Sequence, residues 1–259
     1  MVNSLIMHIS DPTENAGDWN QKTSLGDKFW QFIRFTVVTG MIFAISFFAI
    51  NFDAYKEIFL DIVNPEAHAE AREVLKTSTV GQEVSQLLPL LPEKKQVRTQ
   101  FAWIDAPIAP TDNRLIIPKI GKSIPIQEMS TDQLEGENWN ELEKQIQEGL
   151  RNGVVHYPGT AKPDQFGNFF ITGHSSYYPW DSGKFKDVFA LLNQLDVEDY
   201  FYVYYNQKKY TYKVYNKFEV QPNNVSVLDQ PRGEKTATLM TCTPVGTTLR
   251  RLIVQAKQA

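Results

Sequence analysis

The feature that most limits how this chain can fold is residues 29–50, FWQFIRFTVVTGMIFAISFFAI, 22 positions with one charge, Arg34, near the start. At helical rise they would extend roughly 30 Å, about the thickness of a bilayer core. Arg34 is close enough to one end to reach the headgroups by snorkelling. The run is apolar on every side instead of along one stripe, which argues against the buried helix of a soluble domain. A cleaved signal peptide is the competing reading. The small-x-small site downstream, Ala67-His68-Ala69, lies too far beyond the apolar run to be cut normally. Lys22, Lys28 and Arg34 precede or open the run, and Lys56 alone follows it closely. The positive-inside bias therefore predicts residues 1–28 in the cytoplasm, an uncleaved anchor over 29–52, and everything later outside.

Residues 53–113 read as an extracytoplasmic stalk, with a charged, Ala-containing helical stretch over 66–84 and prolines at 89, 92, 107 and 110 that stiffen the chain and block regular packing. The folded domain is expected over 114–259. A net charge of -4 with mixed signs gives no basic footprint, so nucleic acid is not an expected partner. The single cysteine rules out an internal disulfide and a four-thiolate metal site. No acidic cluster suggests calcium, and neither a metal nor another cofactor is expected. Outside the cell, one unpaired thiol invites a chemical explanation, although a buried Cys acting as a small apolar residue is common.

Within 114–259 short strands predominate. RLIIPKIGKSIPI (114–126) reads as strand, turn, strand, broken by Pro118 and Gly121. One helix follows, with Asn138 as cap, Glu141 three residues on, an apolar stripe of Trp139, Leu142, Ile146 and Leu150, and Gly149 and Gly153 ending it. NFFIT (168–172) is a buried strand candidate, and 184–192 suggests another turn or two of helix. YFYVYYNQKKYTYKVYNKFEV (200–220) is the strongest hairpin signal, two aromatic and β-branched runs joined at residues 206–209. Its aromatics read as cross-strand pairs and need no ligand. Residues 236–242 and 251–255 complete the strands. The pattern predicts an all-β barrel or sandwich.

Cys242 ends a predicted strand before a loop rich in Thr, Pro and Gly, so the sheet would fix a thiol that the strand end exposes. Attack on a carbonyl needs the thiolate, and a cationic neighbour would raise its fraction. His8 falls on the cytoplasmic side and His68 in the stalk, which leaves His156 and His174 as partners. His174, in FFITGHSS, follows a buried strand, whereas His156 precedes Tyr157-Pro158-Gly159 and reads as a turn residue. Arg250 and Arg251 could fold back beside Cys242, where a guanidinium would hold a carbonyl or a developing oxyanion. Strand alternation puts only one of them on the Cys242 face, and spacing does not choose which.

Thr238-Leu239-Met240-Thr241-Cys242, with Arg251-Leu252-Ile253-Val254 beginning nine residues later, resembles the signature around the sortase nucleophile. GVVHYPGTAKPDQFGNFFITGHSS (153–176) resembles the segment ending in that family's histidine, and LIIPKIGKSIPI (115–126) its opening strands. The resemblance implies a closed eight-stranded sortase-like β-barrel with short helices, and a substrate bearing a C-terminal LPxTG-like sorting motif cut between Thr and Gly. It implies Cys242 as nucleophile, His174 as acid and base, and Arg251 over Arg250, with Thr241 among the substrate or oxyanion contacts and His156 in support. The implied partners are secreted proteins with the sorting signal and an amine acceptor, a peptidoglycan precursor or a pilin lysine, at the outer face of a bacterial cytoplasmic membrane.

The chain departs from that pattern in SSYYPWDSGKFKDVF (175–189), which is unusually aromatic and points to a different substrate preference. Trp103-Ile104-Asp105-Ala106-Pro107 is a loose echo of the Asp-Pro-aromatic lid found in pilin-polymerising members. Two other readings use the same residues differently. A cysteine hydrolase would release its product to water, and an inactive binding domain would not need Cys242 at all.

Overall fold

A computed structural model describes residues 25–64, 73, 110–130 and 138–259; most of the 66–84 stretch and the Trp103–Pro107 segment lie outside them. The chain divides into two compact units between Ser46 and Phe47. The first contains most of helix α1 (Leu25–Ile50), in which Gly26–Ile50 is long and apolar enough to cross a membrane, with a mean hydropathy of 2.0 and no residue of that window buried.

The second unit begins with the end of α1 and helix α2 (Phe52–Val63). It continues with β1 (Arg114–Ile117), β2 (Lys122–Glu128), α3 (Trp139–Asn152), β3 (Val154–His156), β4 (Gly167–Thr172), β5 (Tyr200–Tyr205), β6 (Lys208–Val220), β7 (Lys235–Thr243) and β8 (Arg250–Gln258). The strands close into a barrel in the order β1-β2-β3-β4-β7-β8-β6-β5. Two neighbouring pairs are parallel, β2 with β3 and β4 with β7, and the rest are antiparallel. A parallel pair needs a crossover, and α3 lies in the one joining β2 to β3.

Local chemistry explains these elements. After β1, a turn of 3-10 helix at Pro118–Ile120 ends on Gly121, whose φ of 63° is left-handed. The side chain of Asn138 accepts a hydrogen bond from the Glu141 N–H, a cap that contributes about 1 kcal/mol. Leu142, Ile146 and Leu150 then bury one face of α3 against Val155. Gly149 does not end this helix as the sequence suggested. It sits inside α3, where a Cβ would meet Val155 Cγ2 at 2.8 Å and Met129 Cε at 2.9 Å, so its bareness permits close packing. Between β5 and β6, Asn206 and Gln207 have φ of 48° and 62°, the two left-handed residues that a type I′ hairpin demands, and the strand resumes at Lys208.

Strand alternation fills the barrel with side chains such as Leu115, Phe169, Ile171, Phe201, Leu239 and Val254. Residues 184–192 are not helical: only Leu192–Gln194 forms a 3-10 turn. Val188, Phe189, Ala190, Leu191 and Leu192 are all buried, and a run buried on every side has no solvent face to give an amphipathic helix. It joins the barrel core instead. On the outer surface a second apolar layer, with Phe170, Ile253 and Met240, lies beneath the short helix Val225–Leu228.

Candidate active site

Cys242 and Arg251 face each other across the antiparallel pair β7–β8 as Cα partners. Leu239 on β7 and Leu252 and Val254 on β8 point into the barrel, while Met240 and Ile253 pack on its outer face. Alternation therefore sets Cys242 and Arg251 on the outer face and gives Arg250 the opposite parity. Arg250 is exposed near Glu219, 3.8 Å away. Register thus supplies the choice that sequence spacing left open.

His174 comes to the same place from β4. The last parallel pair is Thr172 with Met240, and the Gly173 N–H donates to the Met240 carbonyl at 3.1 Å. His174 stands two residues beyond the end of β4, as Cys242 stands two residues beyond Met240 on β7. The Thr241 hydroxyl secures this alignment by donating to the Gly173 carbonyl at 2.8 Å. Thr241 is buried, with the parity of the barrel interior, so its side chain serves that joint instead of facing the outer surface with Cys242.

His156 is not a turn residue. It is the last residue of β3 and is 4% exposed. Its Nδ1 meets Glu128 Oε2 at 2.9 Å, its Nε2 lies 3.2 Å from the Ala161 carbonyl and 3.1 Å from Thr160 Oγ1, and its ring packs on Phe169. With these partners on the inward side, it is not brought together with Cys242. The YPG that follows suggested a turn, but Val154 and Val155 carry the strand one residue further.

Residues that the motifs did not single out hold the site in shape. His174 stacks on Tyr177, with centroids 4.4 Å apart, and Tyr178 stacks on exposed Trp180. The unusual aromatics after His174 are therefore partly its packing. The Phe189 N–H donates to the His174 carbonyl at 2.9 Å. The Asp181 carboxylate accepts from the Gly183 N–H at 2.7 Å and from Arg151 Nε at 3.1 Å, which fixes the loop beyond. Behind His174, a Cβ on Gly173 would lie 2.7 Å from the Phe189 ring and 3.0 Å from Val154. Gly173→Ala is expected to cost about 1–3 kcal/mol through overpacking. Urea unfolding would measure it, and an unchanged midpoint would mean that the Phe189 ring yields freely.

Burial sets the electrostatics. It holds the His174 imidazole at about 4, against an ordinary 6.5, opposed by the negative charge of Asp181. It pushes the Cys242 thiol above its ordinary 9.0, opposed by the positive charge of Arg251. At neutral pH the thiol and the imidazole are thus both uncharged at rest. Arg251 Nη1 donates to the Thr248 carbonyl at 3.1 Å and to its neighbour Arg250's at 3.2 Å, which leaves donors of its fork available to an incoming oxygen. Such a set can attack a carbonyl, hold the resulting oxyanion and protonate a leaving group. A cavity of about 480 Å³ elsewhere, lined by charged residues including Glu57, Lys122 and Asp187, does not include Cys242.

The sequence model of the Sortase domain family matches residues 115–259. Among solved structures, the chain is similar to a sortase D5 transpeptidase of Clostridium perfringens, with 30% identity over 57% of this chain and 78% of that one and a TM-score of 0.44. It is also similar to Streptococcus agalactiae sortase C1 in complex with MTSET (24% identity, 74% and 88% covered, TM-score 0.46). A lid mutant of Corynebacterium diphtheriae sortase A shows 22% identity, 76% and 95% coverage and a TM-score of 0.47. Comparison with curated proteins by sequence returns no match.

Proposed function

The chain belongs to the sortase family, and from that premise we propose that it is a cysteine transpeptidase that cuts an LPxTG-like sorting motif between Thr and Gly and joins the new carboxyl end to an amine. The observation that supports this reading is Cys242 opposite Arg251 in register on β7 and β8, with His174 following β4, the strand that pairs with β7 on its other side. In the first half-reaction the Cys242 proton passes to His174 and Sγ attacks the threonyl carbonyl. Arg251 donates to the oxyanion. The C–N bond breaks as His174 returns the proton to the glycyl nitrogen, which leaves a thioacyl enzyme. In the second, the incoming amine attacks the thioester carbonyl as His174 takes its proton, the C–S bond breaks, and His174 returns that proton to Sγ to regenerate the thiol.

The proposed setting is a single-pass membrane protein with α1 as its anchor, residues 1–28 inside and the barrel outside. Its donors are secreted proteins with a C-terminal sorting signal, and its acceptor is a peptidoglycan precursor or a pilin lysine. The test is incubation of the protein with a sorting-motif peptide and an amine, followed by mass spectrometry. An acyl adduct on Cys242 and an amine-linked product are expected. Release of free acid alone, whatever amine is supplied, would make it a hydrolase.

The pH profile has a definite sign. The reactive set holds one proton shared between Cys242 and His174, so activity falls when His174 gains a second and when the thiol loses the last. With the imidazole held low and the thiol pushed high, kcat/KM should follow a broad bell, its acid limb below pH 6.5 and its alkaline limb above pH 9.0. A narrow optimum inside that window would contradict the burial described.

A further inference from the structure

We infer that helix α2 is a working part of the active site: its N-cap residue Asn51 and its Tyr55 are positioning residues that hold the loop after Cys242 and, through it, both of that cysteine's partners. This rests on the reading of Cys242, His174 and Arg251 given above.

The Tyr55 hydroxyl donates to the Val245 carbonyl at 3.1 Å, a contact between residues 190 positions apart. One turn earlier, Asn51 is 7% exposed, and its side chain lies against Gly246 so closely that a Cβ there would meet it at 2.9–3.0 Å. Gly246 has a φ of 84°, so its backbone shape as well as its bareness lets the helix approach. Asn51 Nδ2 donates to the Phe47 carbonyl at 2.9 Å, which fixes the side chain that touches the loop.

The loop passes this restraint on in two directions. The Gly246 N–H donates to Ser176 Oγ at 3.0 Å, two residues from His174. The Thr248 carbonyl accepts from Arg251 Nη1 at 3.1 Å. A shift of residues 245–248 would therefore move the imidazole and the guanidinium together.

Other residues hold α2 in place. Ala54 is buried, Ile58 packs on the barrel core, Glu57 pairs with Lys122 and Gln194 donates to Asp61. These contacts dock the helix, whereas Asn51 and Tyr55 make the contacts that reach the loop.

Tyr55→Phe removes one hydroxyl and Asn51→Ala one amide, so both can be studied in the full chain in detergent. Each is expected to lower kcat about three- to tenfold with KM near that of the parent. Because Arg251 opposes the burial that raises the Cys242 thiol, a displaced guanidinium should also move the pH midpoint of Cys242 alkylation by iodoacetamide upward. Thermal midpoints should hold, and Lys56→Ala, on the exposed side of α2, should change none of these readings. Parent values of kcat and alkylation midpoint in both variants would overturn the inference. So would losses that merely track a falling thermal midpoint, or equal losses in Lys56→Ala. The alkylation arm uses no peptide, so it remains readable if the sorting-motif substrate proves wrong.

Discussion

Replacing Cys242 by alanine is expected to lower turnover on the order of 10⁴- to 10⁶-fold and to abolish the acyl adduct, since every bond change in the proposed reaction passes through its sulfur. The side chain is half-buried at a strand end and loses one atom, so stability should move by less than about 1 kcal/mol. A thermal melt beside the adduct assay separates the two effects. Full function in Cys242→Ala would return the chain to the class of binding domains. The protein has no other cysteine, so no second thiol can substitute.

The second large effect distinguishes two adjacent arginines. Arg251→Ala should lower kcat about 10²- to 10³-fold, the usual loss when a preorganised oxyanion donor is removed. Arg251→Lys should recover only part, because an ammonium keeps the charge but lacks the planar fork. Arg250→Ala should stay within about threefold, since its loose surface pairing with Glu219 contributes about 0–1 kcal/mol. Steady-state kinetics on the three variants decides the matter. A larger loss at Arg250 than at Arg251 would mean that the β7–β8 register differs during turnover.

Much of the barrel was legible because its strongest segments are locally self-sufficient. The β5–β6 hairpin carries its own aromatic alternation and its own left-handed turn, and α3 its own cap. The closed eight-stranded barrel itself came from the family resemblance. β3 was missed because three residues are too few to show a period, and the motif after His156 reads as a turn. The parallel pairs depend on crossovers that no local pattern encodes. The 188–192 run was misread because continuous burial looks alike in a helix and in a plug.

The site divides in the same way. The positions of Cys242 and His174 at strand ends were visible, while the choice between Arg250 and Arg251 needed the register of β7 on β8. The tasks of Thr241 and His156 depend on partners 68 and 28 positions away in the chain, Gly173 and Glu128. Nothing in FDAYKEIFLDIV announces that Tyr55 will reach Val245, because helical amphipathicity tells which side is buried and not against what.

Closure of the barrel also constrains how an extended peptide can be held. β1 pairs with β5, so among the described residues the sheet closes on itself and has no outermost strand. An extended peptide thus finds no outermost strand to extend, the mode in which backbone pairing supplies affinity with little regard to sequence. In the proposed reaction the grip on the substrate would come from side chains and loops, where each residue of the bound segment needs its own complementary surface. A closed sheet of this kind does not capture a stretch of chain merely because it is extended.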